Sequence, residues 1–512
     1  MLLLAATKMI VMNIRVIVSL LSFIILSNTN LKAQIKYENR LEFELKSGYD
    51  TDEILPLGEN GFLMVSQNEK SKKGMTEWKY EFYLPNLEIG KTKSIYLDKD
   101  YTSSTSIETE TRSHTLYKNF KKGKFTLVTY DASDHEITET RGELPKKISV
   151  RNSYVMGELF YVIGKVKDSP IIFSINWKTG LQKVIPISVP GIKPKKTTII
   201  DFQTLNSSSE IFVFMKAYDS KKESSIHVLK FDDNAKKLEQ YKLNTGSDKN
   251  LVSLSASKTA DGEYILNGTY SSKTVTTSEG IFIAKVVNKK VDFIKFYNFL
   301  KLDDFLSYLP QKKQEKIKKK QSKKAKRGKE LVINYLIASH DIIKTSTGYV
   351  FLGEAFYPTY RTETRTTFVN GQATTTTITV FDGYQYTHAT AAKFDLEGNL
   401  IWDSSFEMRP KYKPFYPIRF ISIAEQNDQS MSMVFANLNK IVSKSIDYKS
   451  GEILTDKTSN EIETGLQGDK TKKGFSNIDY WYDNYFLAYG TQKIKNKESG
   501  KRKVFFISKI AF

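Results

Sequence analysis

The chain has no cysteine among its 512 residues, which excludes disulfide bonds and a lipid-modified amino-terminal cysteine. It also lacks the His-Glu-x-x-His pair of zinc enzymes, the Gly-x-Ser-x-Gly turn of hydrolases, the phosphate-binding loop and the acid spacing of an EF-hand. We therefore predict no metal site, no cofactor and no catalytic residue. These absences argue against an enzyme.

Histidine is also scarce, with five in the chain. The five are scattered singly, although His340, its neighbour Asp341 and His388 fall in or beside one unit of the repeat described below. Isolated histidines in β-rich proteins are more often structural than catalytic. Paired carboxylates of a glycosidase need no fixed spacing, so a hydrolase or lyase stays open as an alternative.

A three-part sequence pattern recurs along the chain: an apolar run, a second apolar run that ends in a small polar turn, and a third strand-like run. The apolar runs are too short for helices and too apolar for strands with one wet face, so they predict strands buried on both faces. Turns rich in Asn, Asp and Gly are typical of hairpins. Copies of the turn-ended run occupy residues 173–180, 228–234, 283–288, 392–398 and 444–451.

The units follow one another at roughly 50 residues, near the period of four-stranded propeller blades. Seven units are clear, and an eighth around residues 125–150 is degenerate. The last unit ends on its third strand, while residues 40–46 form an isolated strand near the other end. The sequence predicts an all-β fold, a seven- or eight-bladed β-propeller closed by its amino- and carboxy-terminal strands.

The first 33 residues have the pattern of a secretory signal peptide. A basic residue, Arg15, precedes an apolar run over residues 16–26, and Ala33 supplies the small residue of a cleavage site. Residues 1–11 add nothing to this pattern, so Met9 or Met12 is the predicted true first residue of the protein.

Cleavage after this leader leaves a single domain, residues 34–512, with no transmembrane segment. We predict export to the periplasm, the outer-membrane surface or the extracellular medium. An uncleaved membrane anchor is the alternative. Export separates the protein from DNA and RNA, so no nucleic-acid partner is predicted despite the formal charge of +20.

Much of that charge lies in one insertion, residues 300–330. Between residues 312 and 329 there are ten lysines and one arginine against a single acid, Glu315. This pattern suits contact with an anionic surface, and the alternative is a solvated charged helix. The lysines predicted to make that contact are Lys318, Lys319, Lys320, Lys323 and Lys324.

The same insertion is predicted to be helical. Residues 302–309, with acids at their start, read as a short helix. Pro310 is suited to open a second helix, which Gly328 would end.

A second insertion, residues 357–388, contains a Thr-rich hairpin. Asn370-Gly371 favours a two-residue type I′ turn, which fixes the pairing of the two arms. With that loop Val369 faces Gln372, Thr367 faces Thr374, Thr364 faces Thr377 and Tyr360 faces Phe381. Threonine suits both faces of a strand, so the hairpin is predicted to project beyond its sheet.

Aromatic and charged residues crowd the root of this hairpin. Flat rings with nearby polar groups suit the binding of a sugar or a peptide, whereas packing of the root is the structural alternative. The predicted ligand-binding residues are Tyr357, Tyr360, Arg361, Asp382, Tyr384, Tyr386 and His388.

Two stretches in this region carry a family resemblance. Gly353-Glu-Ala-Phe-Tyr-Pro-Thr-Tyr-Arg361 and Phe381-Asp-Gly-Tyr-Gln-Tyr-Thr-His-Ala389 resemble a family of exported Gram-negative bacterial proteins of unknown function with propeller-like repeats. Asp395-Leu-Glu-Gly-Asn-Leu-Ile-Trp402 is similar to blade turns of bacterial propellers. The resemblance implies fold and export, and it implies no activity.

Three classes of function follow. We favour a binding or interaction module for a glycan, a peptide or an envelope partner protein. The alternative is a propeller-type hydrolase or lyase with a site in the central channel. An outer-membrane barrel is a remote third, because lipid-facing strands need strict alternation and the runs at residues 211–215 and 280–284 are nearly continuous.

Overall fold

The computed structural model describes residues 35–45, 49–68, 73–119, 121–205, 209–220, 223–260, 262–370, 372–426 and 429–512. The predicted leader and its cleavage site lie outside this part of the chain. Within it, the protein is all-β apart from one α-helix and three short 3-10 turns.

The strands form eight antiparallel sheets. The first seventeen strands are β1 (Lys36–Glu44), β2 (Tyr49–Pro56), β3 (Phe62–Asn68), β4 (Met75–Tyr83), β5 (Ile89–Asp98), β6 (Tyr101–Glu108), β7 (Arg112–Asn119), β8 (Lys124–Asp131), β9 (Ile137–Glu143), β10 (Ser149–Met156), β11 (Leu159–Val166), β12 (Ser169–Asn176), β13 (Gln182–Ile185), β14 (Thr197–Leu205), β15 (Glu210–Tyr218), β16 (Ser224–Asp232) and β17 (Lys237–Lys242). The others are β18 (Asn250–Ala260), β19 (Glu263–Ser271), β20 (Gly280–Val287), β21 (Lys290–Asn298), β22 (Leu336–Ser339), β23 (Ile343–Thr345), β24 (Gly348–Val369), β25 (Gln372–Phe394), β26 (Leu400–Glu407), β27 (Ser422–Gln426), β28 (Ser430–Asn437), β29 (Lys440–Asp447), β30 (Ile453–Glu461), β31 (Lys470–Tyr482), β32 (Tyr485–Asn496) and β33 (Gly500–Ala511).

Seven of the eight sheets are consecutive up-and-down runs of the chain, and sheet 8 combines the first described strand with the last three. Sheets 1 to 5 comprise β2–β5, β6–β9, β10–β13, β14–β17 and β18–β21. In sheet 6, β22 and β23 together form an interrupted first strand beside β24, β25 and β26. Sheet 7 comprises β27–β30, and sheet 8 has the order β1-β33-β32-β31.

The sheets pack face to face in chain order. In the described residues eight hydrophobic clusters lie between sheets; seven join consecutive sheets, and one joins sheet 8 to sheet 1. Residues 62–65 of β3 and 211–217 of β15 are buried in unbroken runs, because a strand between two neighbouring sheets has no wet face. The repeated four-stranded sheets and this packing fit a β-propeller.

The contact between sheets 8 and 1 is aromatic. The ring of Trp481 meets Phe62 edge to face at 5.7 Å between centroids, and its indole N–H donates to the Gly61 carbonyl at 2.8 Å. In sheet 8, β1 pairs antiparallel with the last strand, with Leu41 opposite Ile507. The first and last described strands therefore share one sheet.

The first strands of several neighbouring sheets contact one another, as β6 does β10, β14 does β18 and β2 does β31. In sheets 1 to 5, each first strand carries a β-bulge near its start, and a bulge redirects the side chain that follows it. The residues after those bulges are polar: Glu53, Thr105, Asn152, Asp201 and Ser253. These five first strands therefore share a polar position near their start.

The degenerate unit around residues 125–150 belongs to sheet 2, which has four strands like its neighbours. Its second strand, β7, is buried despite a polar sequence, since Ser113, His114, Thr115 and Asn119 are all nearly inaccessible to solvent. An apolar run is therefore missing from a strand that is nonetheless internal.

The basic insertion contains helix α1 (Gln311–Ala325), and Gly328 follows it with a φ of 61°. The predicted second helix is confirmed. The predicted first helix over residues 302–309 is wrong, because this segment forms irregular turns. The Asp403 carboxylate accepts the backbone N–H groups of Asp303 and Asp304 at 2.8 and 2.9 Å, and Leu302 and Phe305 are buried below. Tertiary contacts hold the chain in place of helical hydrogen bonds.

The Thr-rich hairpin is formed by the long strands β24 and β25, and its predicted register is confirmed pair by pair. Asn370 at the tip has a φ of 50°. No helix in the described residues has the length and apolar character needed to cross a membrane.

Candidate functional site

Two cavities lie on opposite faces of the sheet array. In an up-and-down sheet, the turns after the first and third strands are on one face, and the turn after the second strand and the link to the next sheet are on the other. The hairpin of β24 and β25 and the basic insertion between β21 and β22 share the second face. The short turns that follow β2, β6 and β31 share the first.

The first cavity, here called the insertion cavity, has a volume of about 850 Å³ and lies where the two insertions meet. Its walls come from the basic insertion, the hairpin root and the segment after β26. The lining residues are Thr277, Tyr308, Leu309, Lys313, Asn334, Tyr335, Leu336, Phe356, Tyr357, Pro358, Gln385, Tyr386, Thr387, Arg409, Pro410 and Lys411.

Two of the predicted ligand-binding residues line it in different ways. Tyr386 is fully buried, and its hydroxyl donates to the Ile418 carbonyl at 2.6 Å and accepts the Ile418 N–H at 2.9 Å. Tyr357 is 49% exposed. Tyr386 therefore fixes the wall, whereas Tyr357 presents its ring to solvent.

The charge in the insertion cavity is of one sign. Lys313, Arg409 and Lys411 line it, and none of the described lining residues is acidic. The Arg409 guanidinium has an ion pair with Glu407 at 3.1 Å, although the arginine side chain stays largely exposed. An anion in this cavity would meet three cations and several aromatic rings.

His388 lies beneath this wall and is fully buried. Tyr308 stacks on its ring at 3.9 Å between centroids, and Phe305 and Tyr335 meet it edge to face. Its Nδ1 lies 3.0 Å from the Thr387 hydroxyl, while Nε2 has no hydrogen-bond partner in the described part of the chain. Burial lowers the pKa of His388 to about 3, so the imidazole is neutral.

The other predicted residues lie farther along the hairpin. Tyr360 meets Phe381 edge to face, and Phe381 in turn contacts Tyr384. The Lys413 ammonium donates to Asp382 at 2.8 Å and lowers the pKa of that carboxyl.

Arg361 has Glu363 as its nearer partner, at 2.7 Å, and reaches the Asp382 carboxylate only at 4.0 Å. The seven predicted residues thus extend from the cavity out along the hairpin root.

Sequence reasoning missed the segment between β26 and β27. Tyr412, Phe415 and Tyr416 are exposed there, and Phe415 meets Phe381 at 5.8 Å between centroids. The available signal was the alternation of aromatic, basic and proline residues in Lys411-Tyr-Lys-Pro-Phe-Tyr-Pro-Ile-Arg419. The helical insertion contributes Tyr308 and Tyr335, which were also missed.

Helix α1 begins at the insertion cavity. Its inner side is formed by Gln314, Ile317 and Gln321, which are partly buried, and the amides of both glutamines donate to backbone carbonyls of the preceding segment. The five lysines predicted to meet an anionic surface are all exposed. The helix is therefore attached by a narrow edge and presents its cations outward.

The second cavity, here called the channel cavity, has a volume of about 1200 Å³. It opens where the first strands of sheets 1, 2 and 8 end. Its lining residues are Glu53, Ile54, Leu55, Pro56, Gly58, Glu59, Asn60, Glu108, Thr109, Glu110, Asp479, Tyr480, Trp481, Tyr482, Asp483 and Tyr489.

Six of these residues are acidic, and among the described residues that line the channel cavity none is basic. Although Glu108 is exposed, the protein atoms crowded around its carboxyl disfavour the charged form and raise its pKa to about 7, with added repulsion from Glu53 and Asp479. Burial also raises the pKa of Asp479, opposed by the 2.6 Å hydrogen bond that Tyr489 donates to it. Carboxylates therefore converge in the channel.

His340 and His388 have separate partners. His340 Nε2 lies 2.7 Å from Glu354, whose carboxylate also accepts the backbone N–H groups of Phe420 and Ile421. These contacts tie sheet 6 to the start of sheet 7. Across the described residues, no three His, Asp or Glu side chains are grouped so as to hold a metal ion.

No protein-family model and no curated protein sequence matches the chain. Solved structures with a similar fold include the polysaccharide lyase Uly1, with 10% identity, a TM-score of 0.40 and coverage of 93% of this chain and 99% of that one. The Dos1 propeller aligns with 9% identity and a TM-score of 0.42, and the alignment covers 93% of this chain and 95% of that one. Prolyl oligopeptidase B from Galerina marginata aligns with 8% identity and a TM-score of 0.39, and the alignment covers 88% of this chain and 56% of that one. Likenesses this distant carry no activity over to this chain.

Proposed function

We propose that this protein is an exported binding module that holds an acidic glycan in the insertion cavity. The observation that carries the proposal is the lining itself: exposed aromatic surface beside Lys313, Arg409 and Lys411, with no acid among the described lining residues. Sugar rings offer apolar faces that cover aromatic rings, and their carboxylates or sulfates match Arg and Lys donors.

The exposure of Tyr357 favours binding over packing as the role of the cavity wall. A ring that only stabilised the hairpin root would be buried, as Tyr386 is. Tyr357 instead leaves about half of its surface in water, at a cost in apolar exposure that a ligand would offset.

The test is the affinity of the purified protein for short acidic oligosaccharides, such as trigalacturonate, measured by titration calorimetry. We expect Tyr357→Ala to weaken binding about tenfold. Tyr480→Ala is the matched control, since Tyr480 is 41% exposed but lines the channel cavity. Equal losses in both variants, or no binding by the unmodified protein, would overturn the proposal.

A second candidate is a hydrolase or lyase acting in the channel cavity, favoured by the convergence of Glu53, Glu108 and Asp479. A carboxyl with a pKa about 7 is suited to donate a proton near neutral pH, and Glu53 and Asp479 place further carboxyl groups beside it. Because this cavity is acidic, its substrate would be neutral or cationic. Loss of reducing-end release in Glu108→Gln would support this candidate, and unchanged release would exclude Glu108 from it.

The propeller is further proposed to be a closed ring of eight blades, with β1 and β33 making the closure. Support comes from the β1–β33 pairing and from the cluster that joins sheet 8 to sheet 1. Removing β1 would expose the edge of β33, so we expect aggregation and a lower melting temperature. Removing the projecting arms 362–369 and 372–379 is the control. An unchanged melting curve without β1 would argue against closure.

A further inference from the structure

We infer that the ligand is a polymer: an acidic polysaccharide chain that continues out of the insertion cavity along one flank of helix α1. The inference rests on the proposed function, because it extends the same site. In this arrangement, the lysines of helix α1 bind successive anionic groups of a single polysaccharide.

The direction of the chain follows from the helix geometry. Gln314, Ile317 and Gln321 mark the attached side of α1. At 3.6 residues per turn, Lys313 lies beside that side, and the positions three, seven and eleven residues later fall on the same flank. These are Lys316, Lys320 and Lys324, which we call the lysine track together with Lys313.

The track begins inside the proposed site, because Lys313 lines the insertion cavity. At a rise of about 1.5 Å per residue the track is about 16 Å long. That length exceeds a single sugar and suits several sugar units in a row. A ligand that fills the cavity and then continues along the track would meet a cation at each turn of the helix.

The track lysines are exposed, and none makes an ion pair with an acid in the described part of the chain. Elsewhere on the surface, exposed lysines commonly have partners, as Lys121 has Asp100 and Lys457 has Glu407. The only acid in the helix, Glu315, accepts from Gln311. The flank thus presents uncompensated positive charge, which is complementary to a polyanion.

Each exposed lysine contributes little alone, since a single ion pair on a protein surface is weak. The contributions accumulate only if one ligand reaches several lysines at once. Affinity should therefore rise with the length of the chain and then level off once the track is covered, and salt should weaken the added part.

The experiment measures the affinities of oligogalacturonates of increasing length for the full chain. The track variant carries Lys316→Gln, Lys320→Gln and Lys324→Gln. The control carries Lys312→Gln, Lys318→Gln and Lys319→Gln, which remove the same charge from other sides of α1. We expect the track variant to bind trigalacturonate normally but to lose about tenfold for long oligomers, while the control keeps the rise with length.

Three results would overturn the inference. Affinity independent of length in the unmodified protein would restrict the ligand to the cavity, and the proposed function would stand. Equal losses in the track and control variants would mean that only net charge matters. Binding of anionic phospholipid vesicles that the track variant loses, without length-dependent oligosaccharide binding, would assign the helix to a membrane surface. Failure of the proposed function looks different, because then trigalacturonate itself does not bind.

Discussion

The insertion cavity and the channel cavity lie on opposite faces of one repeated fold, and they differ in charge and in origin. The channel cavity is made by the short turns of regular sheets and is lined by six acids. The insertion cavity is made by segments that depart from the repeat and is lined by three cations and a group of aromatic rings. The regular repeat thus supplies the acidic cavity, and the inserted segments supply the basic, aromatic one.

Partner geometry also differs between the two cavities. In the channel cavity, Glu53 accepts a hydrogen bond from Ser106 of the neighbouring first strand at 2.7 Å, and Asp479 accepts one from Tyr489 at 2.6 Å. In the insertion cavity, Lys313 and Lys411 have no ion pair among the described residues, and Tyr357 is half exposed. The polar groups of the channel cavity are thus partly engaged with other protein groups, whereas two of the three cations of the insertion cavity have no acidic partner in the described residues.

The largest effect should come from the buried part of the insertion cavity. Tyr386→Ala removes a buried ring stacked on Phe356 and both hydrogen bonds to Ile418, so we expect a loss of about 3–5 kcal/mol in the free energy of unfolding. Tyr357→Ala should change it by less than about 0.5 kcal/mol. Chemical denaturation of both variants checks this. Similar losses would mean that the whole wall is core.

The next effect concerns charge. Replacing Arg409 and Lys411 together with Glu should weaken trigalacturonate binding about a hundredfold, because each change removes a charge-assisted contact and adds repulsion. On the opposite face, Glu59→Gln with Glu110→Gln should leave that affinity unchanged. Calorimetry compares the two double variants. An effect of comparable size from the channel pair would show that the two faces are not independent.

A smaller effect should follow pH at the channel cavity. The folded pKa of Glu108, about 7, is raised above its usual value of 4.5, so above pH 7 the folded protein carries an unfavourable charge. As pH falls through 7 the folded carboxyl takes up a proton before the unfolded one does, and this cost disappears. Glu108→Gln should therefore raise the melting temperature at pH 8 and leave it unchanged at pH 4. A gain that is the same at both pH values would mean that the charge is not the cause.

The smallest effect is expected at helix α1. Its lysines are exposed and only Ile317 packs against the core, so Lys316→Gln, Lys320→Gln and Lys324→Gln should leave the melting temperature nearly unchanged. Thermal unfolding of this variant is the check. A clear loss of stability would mean that the track lysines stabilise the fold, which would contradict their assignment to ligand binding.

The parts of the fold that local sequence dictates were predictable. Asn370-Gly371 sets the hairpin register, and Pro310 and Gly328 bracket α1, because turn and helix-end preferences act over a few residues. Residues 302–309 were mispredicted as a helix because the contact that determines their shape, with Asp403, is about 100 residues away.

The candidate sites divide in the same way. Tyr357 and Tyr386 were predictable because the hairpin root is contiguous in sequence. The channel acids Glu53, Glu108 and Asp479 come from three sheets and meet only through the order of the sheets, so spacing in the sequence carries no sign of them. Arg409 and Lys411 were missed because their link to the hairpin is tertiary.

The central claim, that the insertion cavity holds an acidic glycan, is tested most directly by comparing trigalacturonate with its fully methyl-esterified form, in calorimetric titrations of the unmodified protein. The two ligands share their rings and differ in the carboxyl groups, which are charged in one and neutral methyl esters in the other. We predict that the ester binds at least about tenfold more weakly, since it cannot form the ion pairs with Lys313, Arg409 and Lys411. Equal affinity for the two ligands, or binding of neither, would contradict the account.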